Sequence, residues 1–406
     1  MYWKILNFLK AHFNALSLFL GQSLVVVFGL LSTVIWARLG EPEEFGKYSL
    51  ILSYISIVAV FPLSGLSTVL EISASRKLDG AFMRVVKTKF FAGIVCTFPF
   101  ALFAIYHYFE DEYDMVLAIL LVAIVFPFKV TVELWRSWLN GRGELIRFSA
   151  NNVLLASTTL IVIYIGLLLS LPIYGTISFV IVTQVVLGCL FVFHIRKNLH
   201  NDRFDRSVFE YGRSLSFVFV INSVLLFDKF IINAFSESES IVAIYTVALA
   251  FSTLPKILFE VSLKILIPDL ASMDNLVVAW DKVKLRVISF SVIFVLAGFL
   301  GYLTLELIIP LVFGSKYDQA KIYAVHFWFI ACASVPSSYI LALLKYNGYK
   351  SYLYGDSILN VASKFLPLVV LVPSYGIWGV VWGFYFSLGI QSIIRFLYFK
   401  RKVKVL

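Results

Sequence analysis

Seven basic side chains lie inside long apolar stretches of this 406-residue chain. They are Lys129, Arg136, Lys229, Lys256, Lys264, Lys364 and Arg395. A cation at the centre of a membrane helix costs roughly 2.5 to 3.5 kcal/mol on insertion scales. Seven cations facing lipid would together cost as much as the whole stability of a typical protein, about 5 to 15 kcal/mol. Most of them must therefore face the protein interior, where unmatched positive charge can bind an anionic ligand.

Two groups of charged residues recur at helical spacing. They are Lys129, Glu133 and Arg136 at i, i+4 and i+7, and Lys256, Glu260 and Lys264 at i, i+4 and i+8. Residues at these spacings share one face of a helix, and each group carries one excess positive charge. An unpaired buried cation is costly, so a purely structural network would be neutralised. The excess charge favours a binding site for an anion, with a structural ion-pair network as the alternative.

Depth within the spans ranks the candidates. Lys129, Lys256 and Lys364 stand near mid-span, where a side chain cannot reach the headgroups, whereas Arg395 stands near a span end and is expected to snorkel to the membrane surface. The predicted substrate-binding residues are Lys129, Arg136, Lys256, Lys264 and Lys364. The predicted coupling or ion-pair residues are Glu133, Asp228, Lys229 and Glu260. The acids assigned to spans are Glu133, Asp228, Glu260 and Glu306.

The apolar stretches that carry these residues are long enough to cross a bilayer, because a hydrocarbon core of about 30 Å needs roughly 20 residues of helix. We place twelve spans at 13–37, 48–70, 90–108, 115–139, 149–171, 176–195, 214–235, 241–268, 287–309, 323–344, 352–372 and 377–399. The chain is 60% hydrophobic and 14% charged, with a mean hydropathy of +0.91. The sequence therefore predicts an all-α polytopic membrane protein with 12 transmembrane helices.

Charge between the spans alternates from gap to gap. One set of gaps, which includes both termini, holds 23 Lys and Arg residues, and the opposite set holds 4 together with the acidic run 110–114. The positive-inside rule then places both termini in the cytoplasm and makes the first span an uncleaved anchor. Because orientation explains the net charge of +10, no nucleic-acid partner is needed.

The chain also resembles itself at offsets of 197 and 201 residues. At the second offset, Leu171-Pro172-Ile173-Tyr174-Gly175 matches Val372-Pro373-Ser374-Tyr375-Gly376. The two halves, 1–206 and 207–406, would each contain six spans and so run parallel, related by an axis along the membrane normal. This pattern predicts two pseudo-symmetric six-helix bundles around a central cavity, which is the plan of a transporter.

Several kinds of catalytic or cofactor site are not indicated by the sequence. Cys96, Cys189 and Cys332 lie inside spans without C-x-x-C spacing, so neither a disulfide framework nor a metal cluster is predicted. A Gly-rich Lys-Ser/Thr loop for nucleotide phosphates is missing. The gaps on the acidic side are about as short as those of an ordinary bundle, too short for the loop-borne site of a polymerase or acyltransferase. We predict a protein that is not an enzyme and has no cofactor.

Short motifs occur in a fixed order along the spans. They are Arg38-Leu39-Gly40, Glu44-Phe45-Gly46-Lys47-Tyr48-Ser49, Gly65-Leu66, Asp228-Lys229-Phe230-Ile231-Ile232, Tyr245, Pro268 with Leu270, Phe313-Gly314-Ser315-Lys316-Tyr317 and Pro373-Ser374-Tyr375-Gly376-Ile377-Trp378-Gly379. In these motifs the chain resembles the polysaccharide-export flippases of the multidrug/oligosaccharidyl-lipid/polysaccharide superfamily, particularly those for O-antigen or capsule repeat units. One departure is Glu71, which stands where family members often carry a basic residue.

The resemblance implies a function in the bacterial inner membrane. Such a flippase moves an undecaprenyl-diphosphate-linked oligosaccharide from the cytoplasmic to the periplasmic leaflet by alternating access. Its implied partners are that lipid-linked substrate, membrane lipids, a coupling H⁺ or Na⁺, and other polysaccharide-assembly membrane proteins. A cation-coupled drug antiporter of the same superfamily is the main alternative, but the excess of bases over acids in the spans disfavours a cationic substrate.

Overall fold

The computed structural model describes residues 2–236, 238–271, 276–346 and 350–405. Over this part of the chain it contains helices and no strands. The α-helices are α1 (Tyr2–Leu39), α2 (Pro42–Val58), α3 (Leu66–Ser75), α4 (Gly80–Val95), α5 (Phe98–Phe109), α6 (Tyr113–Val132), α7 (Leu134–Arg142), α8 (Leu145–Leu168), α9 (Ile173–Lys197), α10 (Arg206–Ser223), α11 (Asp228–Ala234), α12 (Ser240–Ala250), α13 (Thr253–Ala271), α14 (Leu276–Phe313), α15 (Ala320–Ala333), α16 (Val335–Tyr346), α17 (Lys350–Tyr375) and α18 (Ile377–Val405). Two 3₁₀ helices span Val224–Phe227 and Ser315–Tyr317.

Ten helical segments of the described chain are long and apolar enough to cross a membrane. The predicted spans 2 and 7 are not among these ten because each is interrupted. Span 2 consists of α2 and α3 separated by a turn at residues 59–65, and span 7 consists of α10, a 3₁₀ turn and α11. The structure confirms an all-α polytopic membrane protein and is consistent with twelve crossings.

Interruptions also occur at matching places in the two halves of the sequence. Glu133 separates α6 from α7, and Ser334 separates α15 from α16. These two residues are 201 positions apart, which is one of the offsets at which the sequence repeats. The proline motifs at this offset differ locally, since α9 begins after Pro172 whereas α17 runs through Pro373 to Tyr375.

The outer faces of the long helices are apolar. On α14, Leu303, Leu307 and Leu311 recur every four residues and are strongly exposed. Such a row of leucines is suited to contact with lipid tails, which are themselves apolar. The helix also satisfies its own backbone hydrogen bonds, so the backbone needs no water on that side. The chain is therefore a multi-pass membrane protein.

The chain forms two compact units, Met1–Ser223 and Val224–Leu406. The core of the first is built around Phe82, Trp135 and Trp138, and that of the second includes Phe294 and Tyr339. The predicted boundary between the repeats, at 206/207, falls one helix earlier. It differs because α10 packs against α3 within the first unit.

Glycines allow the close contact between α3 and α10. A Cβ atom on Gly65 would collide with the carbonyl oxygen of Gly212, and one on Gly212 would collide with Val69. The Gly65 N–H donates to the Ser216 hydroxyl at 3.1 Å. Gly65 of the family motif is thus a packing residue in this structure, because only a residue without a side chain fits there.

Candidate functional site

The first unit brings the stripe Lys129, Glu133 and Arg136 together at the junction of α6 and α7. The Lys129 ammonium donates to Glu133 Oε1 at 3.0 Å and to Gln184 Oε1, on α9, at 3.0 Å. Close packing of α6 on α9 permits this contact, since a Cβ on Gly188 would lie 2.5 Å from Cγ2 of Val132. Lys129 thus has one ionic and one neutral partner.

Arg136 lies on the other side of Glu133. Its Nη1 is 3.9 Å from Glu133 Oε1, and its Nε donates to Asn152 Oδ1 at 3.0 Å. The guanidinium carbon lies 5.4 Å from the centre of the Trp135 ring, within the range of a cation–π contact. The Glu133 carboxylate therefore interacts with both Lys129 and Arg136.

A third cation near Glu133 is Lys89 on α4, which the sequence analysis counted in a cytoplasmic gap. Only 7% of Lys89 is exposed, and it interacts electrostatically with Glu133. Helix α4 begins at Gly80, ten residues before the predicted span, and this carries Lys89 into the packed interior. Three cations thus surround one carboxylate, which leaves a net charge of +2.

This cluster opens onto a cavity of about 180 Å³. Its polar lining consists of Lys129, Glu133, Arg136 and Gln184. The cavity presents an ammonium, a guanidinium and an amide to one small volume, and all three can donate hydrogen bonds to an anion or a sugar hydroxyl.

Glu71, the departure from the family pattern, lies outside this cavity. Its Oε1 accepts a hydrogen bond from Asn140 Nδ2 at 3.3 Å, and a Cβ on Gly141 would collide with the Glu71 backbone. Glu71 therefore joins α3 to α7 and does not line the cationic pocket.

The second unit contains a larger cavity of about 260 Å³, bordered by α12, α13, α15, α16, α17 and α18. Three cations line it, namely Lys256, Lys364 and Arg395. Six uncharged polar side chains share the remaining wall with seven apolar ones; the polar residues are Ser252, Ser334, Ser337, Ser338, Asn360 and Gln391. The surface is rich in hydroxyl and amide groups, which is the kind of lining that sugar hydroxyls need.

Two of these three cations have no close ion-pair partner in the described structure. Lys256 and Lys364 form no ion pair within 4.0 Å in the part of the chain that the structure describes. Lys364 repels Lys256 electrostatically, and its ammonium lies 5.7 Å from the centre of the Phe384 ring. Two ammonium groups of like charge at one cavity favour a ligand that carries more than one negative charge.

Arg395 is paired, contrary to the sequence-based expectation that it snorkels. It is 6% exposed and binds Asp356 with two hydrogen bonds of 2.8 Å, from Nε and Nη2. Asp356 was not counted among the acids inside the predicted spans, although it lies on α17 and faces Arg395 on α18. Arg395 Nη1 also lies 3.4 Å from the Ser337 hydroxyl. With this pair neutral, the cavity keeps a net charge of +2 from Lys256 and Lys364.

Behind the cavity wall, a buried polar network joins α17 to α18. Gln391 donates from Nε2 to Asn360 Oδ1 at 2.8 Å, and the Ser363 and Ser387 hydroxyls are 2.8 Å apart. Because Asn360 and Gln391 also line the cavity, the network holds their amides in place. Sequence reasoning missed both residues, since a single Asn or Gln in a span carries no pattern.

Asp228, Lys229 and Glu260 do not line this cavity, although Asp228 attracts Lys256 electrostatically. Asp228, at the start of α11, accepts a hydrogen bond from the Tyr245 hydroxyl at 2.6 Å and one from the Lys229 backbone N–H at 2.8 Å. Lys229 is half-buried and interacts electrostatically with Asp228. Glu260 is exposed on α13 and does not line the cavity. Lys264 belongs to α13, but its side chain lies outside the described part of the structure.

A metal site is not evident in the described ranges, where no three His, Cys, Asp or Glu side chains converge. Of the two tryptophans of α7, Trp135 borders the cavity of about 180 Å³ beside Lys129 and Arg136, and Trp138 borders a separate cavity. Trp135 and Trp138 are buried in the core of the first unit, and the ring of Trp138 packs on Phe82 at 5.1 Å.

Solved structures share this fold at low sequence identity. An inward-facing multidrug resistance MATE family transporter of the MOP superfamily aligns with a TM-score of 0.71 and 13% identity, covering 94% of this chain and 95% of that one. An outward-facing multidrug resistance MATE family transporter aligns with a TM-score of 0.62 and 14% identity, covering 96% of this chain and 94% of that one. A MOP superfamily transporter from Pyrococcus furiosus, described as having a binding pocket of reverse polarity, aligns at 0.61 and 13% identity, covering 96% and 94%. The chain therefore has the MOP transporter fold.

Sequence comparison identifies the family. No curated protein sequence matches the chain significantly. Residues 12–274, more than half of the chain, match the profile of the family described as "Polysaccharide biosynthesis protein". Both this family and the fold agree with the resemblance found in the sequence motifs. The chain belongs to the polysaccharide biosynthesis protein family.

Proposed function

We propose that the protein is a flippase that moves an undecaprenyl-diphosphate-linked oligosaccharide from the cytoplasmic to the periplasmic leaflet by alternating access. The observation that carries this proposal is the cavity of the second unit. Two ammonium groups that form no ion pair within the described residues, Lys256 and Lys364, stand there beside six hydroxyl and amide side chains. Its net charge of +2 matches a diphosphate, and its uncharged wall matches the sugar next to it.

The physics of the substrate explains why this arrangement suffices. A polyprenyl tail can stay in the lipid during transfer, so only the diphosphate and the sugars need a polar route across the membrane. The cavity holds about 260 Å³, slightly below the roughly 300 to 1,000 Å³ of pockets for drug-sized ligands. It therefore suits the diphosphate end of the head group, and the rest of the oligosaccharide extends beyond it.

The cavity of the first unit supports the same class of substrate. Lys129 and Arg136 share Glu133, so an incoming anion can take over one cation while Glu133 keeps the other. We assign Lys129, Arg136, Lys256, Lys264 and Lys364 to substrate binding. We assign Glu133, Asp228, Lys229 and Glu260 to ion-pair exchange or to coupling with H⁺ or Na⁺.

Drug antiport is the alternative that the structural relatives raise, since several are multidrug transporters. An organic cation would meet a net positive charge among the described residues that line each cavity, and like charges facing each other oppose binding. The Pyrococcus furiosus relative is described as having a binding pocket of reverse polarity that suggests a different function, so this fold is not tied to drug export. A polymerase or acyltransferase is disfavoured because family and fold are those of transporters.

A direct test uses purified protein in liposomes. An undecaprenyl-diphosphate-linked saccharide is incorporated, and a membrane-impermeant sugar-modifying enzyme added outside reports how much head group becomes accessible. We expect protein-dependent access to the inner-leaflet pool and no uptake of ethidium. Uptake of ethidium driven by an ion gradient, without movement of the lipid-linked saccharide, would establish the antiporter instead.

We also propose that both termini lie in the cytoplasm of a bacterium and that the protein spans its inner membrane. Alkaline phosphatase folds only outside the cytoplasm, so it reports the side of a fusion point. A fusion after Asp114 should be active and a fusion after Arg206 inactive. These residues lie at the start of α6 and the start of α10, where the charge bias predicts opposite sides. The reverse result would overturn the orientation.

A further inference from the structure

The first unit contains another polar cavity, separate from the one around Lys129. It has a volume of about 300 Å³ and lies among the end of α7, the start of α8 and the end of α9. Its polar lining consists of Arg142, Glu144, Arg147, Asn198 and His200, and we call it the arginine pocket. It shares no lining residue with the cavity around Lys129, so the substrate site proposed above does not account for it.

Arg142 is held in place on one side of the arginine pocket. Its Nη2 donates to Asp79 Oδ1, and its guanidinium carbon lies 5.0 Å from the centre of the Trp138 ring. Asp79 is 1% exposed, and its Oδ2 accepts a hydrogen bond from the His200 backbone N–H at 2.8 Å. A guanidinium has five N–H donors, and the bond to Asp79 occupies one of them. Arg142 is therefore fixed by the protein and still has donors for a ligand in the cavity.

Arg147 has a partner that a ligand can replace. Its Nη1 donates to Glu144 Oε2 at 3.1 Å, and the two side chains are 33% and 43% exposed. An exposed ion pair contributes little to stability. A guanidinium binds the oxygens of a phosphate with two parallel hydrogen bonds. A phosphate in the arginine pocket can therefore take the place of Glu144 at Arg147.

His200 adds a third donor to the same cavity. Its imidazole has no hydrogen-bond partner among the residues that the structure describes, and in either neutral tautomer it carries one N–H. The arginine pocket thus presents two guanidinium groups and one imidazole to a small volume.

The surroundings of the arginine pocket are strongly basic. The three connections that meet here, residues 76–87, 142–147 and 196–206, carry ten Lys or Arg residues and four acids, with Asp79 and Glu144 among those four. The fold holds these connections together, since the Arg84 guanidinium carbon lies 4.3 Å from the centre of the Phe204 ring and Arg76 lies 3.7 Å from Asp205. The summed field therefore attracts anions even where single cations are paired.

An apolar stripe on α8 favours a lipid over a dissolved phosphate. Arg147, Leu154, Ile161 and Leu168 recur every seven residues, which is close to two helical turns and places them on one face. The three apolar members are 45%, 54% and 58% exposed. A ligand whose phosphate lies at Arg147 can therefore lay an acyl chain along α8. Basic segments at the cytoplasmic surface of a membrane attract anionic lipids, and the charge bias puts this end of α8 on that side.

We propose that the arginine pocket binds the phosphate head group of an anionic phospholipid of the cytoplasmic leaflet, with Arg142 and Arg147 contacting the phosphate. Its volume lies at the lower end of the range for small-molecule pockets, which suits a head group while the acyl chains stay in the bilayer. The leaflet follows from the orientation proposed above. Binding itself depends neither on that orientation nor on transport.

The test titrates purified, delipidated full-length protein in detergent with phosphatidylglycerol or phosphatidylcholine and counts the bound lipids by native mass spectrometry. We expect phosphatidylglycerol to bind at least about tenfold more tightly, because the choline group cancels the phosphate charge. Arg147→Gln should weaken phosphatidylglycerol binding about tenfold, as the loss of one charged hydrogen bond predicts. Glu144→Gln should tighten it, because the competing carboxylate is removed.

Matched variants make the measurement specific to this pocket. Arg206 also pairs with an exposed acid, Glu210, at 2.9 Å, so Arg206→Gln should leave binding unchanged. Lys256→Gln combined with Lys364→Gln reports any lipid held in the cavity of the second unit and should likewise change nothing. His200→Gln should weaken binding several-fold, and it tests the pocket even if Arg147→Gln does not fold. Arg142→Lys keeps a cation beside Asp79 and should weaken binding through loss of the two-pronged contact.

Three results would overturn the proposal. One is equal binding of the two lipids. Another is unchanged phosphatidylglycerol binding in the folded Arg147→Gln and His200→Gln variants. The third is binding of glycerol 3-phosphate as tight as that of phosphatidylglycerol with the same dependence on Arg147, which would assign the arginine pocket to a dissolved phosphate compound.

Discussion

Replacing Lys256 and Lys364 together by Gln is expected to lower surface polysaccharide and transport of the lipid-linked saccharide about 100-fold or more. A hydrogen bond to a charged group contributes about 1.5 to 3 kcal/mol, and about 1.4 kcal/mol corresponds to a factor of ten. Removing two such contacts to a diphosphate therefore lowers transport more than any single substitution does. The measurements are the amount of surface polysaccharide and the lipid-linked repeat unit that accumulates in the cytoplasmic leaflet.

This double variant should keep its abundance in the membrane. The two ammonium groups repel each other, and neither forms an ion pair within 4.0 Å in the described structure, so their removal breaks no direct ion pair. Asp228, which attracts Lys256, keeps its hydrogen bonds from the Tyr245 hydroxyl and the Lys229 N–H. Single variants should each lose about tenfold, as one charged contact predicts. Lys284→Gln is the matched control, because its ammonium pairs with Asp281 at 2.8 Å on an exposed part of α14. Normal export in the double variant would remove this cavity from the mechanism.

The same comparison applies to Lys129 in the first unit with one difference. Lys129 is held by Glu133 and Gln184, so Lys129→Gln frees Glu133 to pair more fully with Arg136. Loss of transport with normal protein abundance would assign Lys129 to substrate, whereas loss of the protein would assign it to structure.

Breaking the pair between Arg395 and Asp356 is expected to remove the protein from the membrane. Loss of one partner of a buried ion pair destabilises a protein by about 3 to 5 kcal/mol, because the other charge stays buried and uncompensated. Arg395→Gln and Asp356→Asn should each lower protein abundance and the temperature of thermal unfolding in detergent. The sequence alone suggested a mild effect, since it placed Arg395 at the headgroups.

The combined variant Arg395→Met with Asp356→Leu tests the reason for that loss. An apolar pair of similar size removes both charges, and replacing a buried ion pair in this way is often neutral or stabilising. Abundance should recover relative to either single variant. The exposed pair of Arg206 and Glu210 provides the control, because Arg206→Gln should change stability by at most about 1 kcal/mol. Full abundance of Arg395→Gln would show that Asp356 can be buried without its partner.

Hydropathy and charge placed the helices of this protein because the bilayer itself fixes the length of an apolar span and the side on which cations are kept. The structure confirmed an all-helical membrane protein, and the motifs placed it in its family. The ends of the spans were less certain. Lys89 was assigned to a gap because it directly precedes the span predicted at 90–108, yet α4 begins at Gly80 and carries it inside.

Helical spacing predicted one stripe of charges better than the other. Lys129 and Glu133 form the ion pair that the i, i+4 spacing allows, but Lys256 and Glu260, at the same spacing, do not pair in the described structure. Spacing only places two side chains on one face. The packing of neighbouring helices decides where each side chain points, and the Lys256 side chain lines a cavity.

Composition and order along the chain thus determined that this is a polytopic membrane protein with an excess of positive charge inside its spans, and they predict the number and the sides of those spans. Only the tertiary structure decided which charged side chains are paired with an opposite charge. Arg395 and Asp356 are 39 positions apart and become partners because α17 and α18 pack side by side, and His107 meets Tyr54 across 53 positions in the same way. Such pairs leave no periodic pattern in the sequence, because each contact joins two different helices. The sequence of one helix does not specify how it packs against the other.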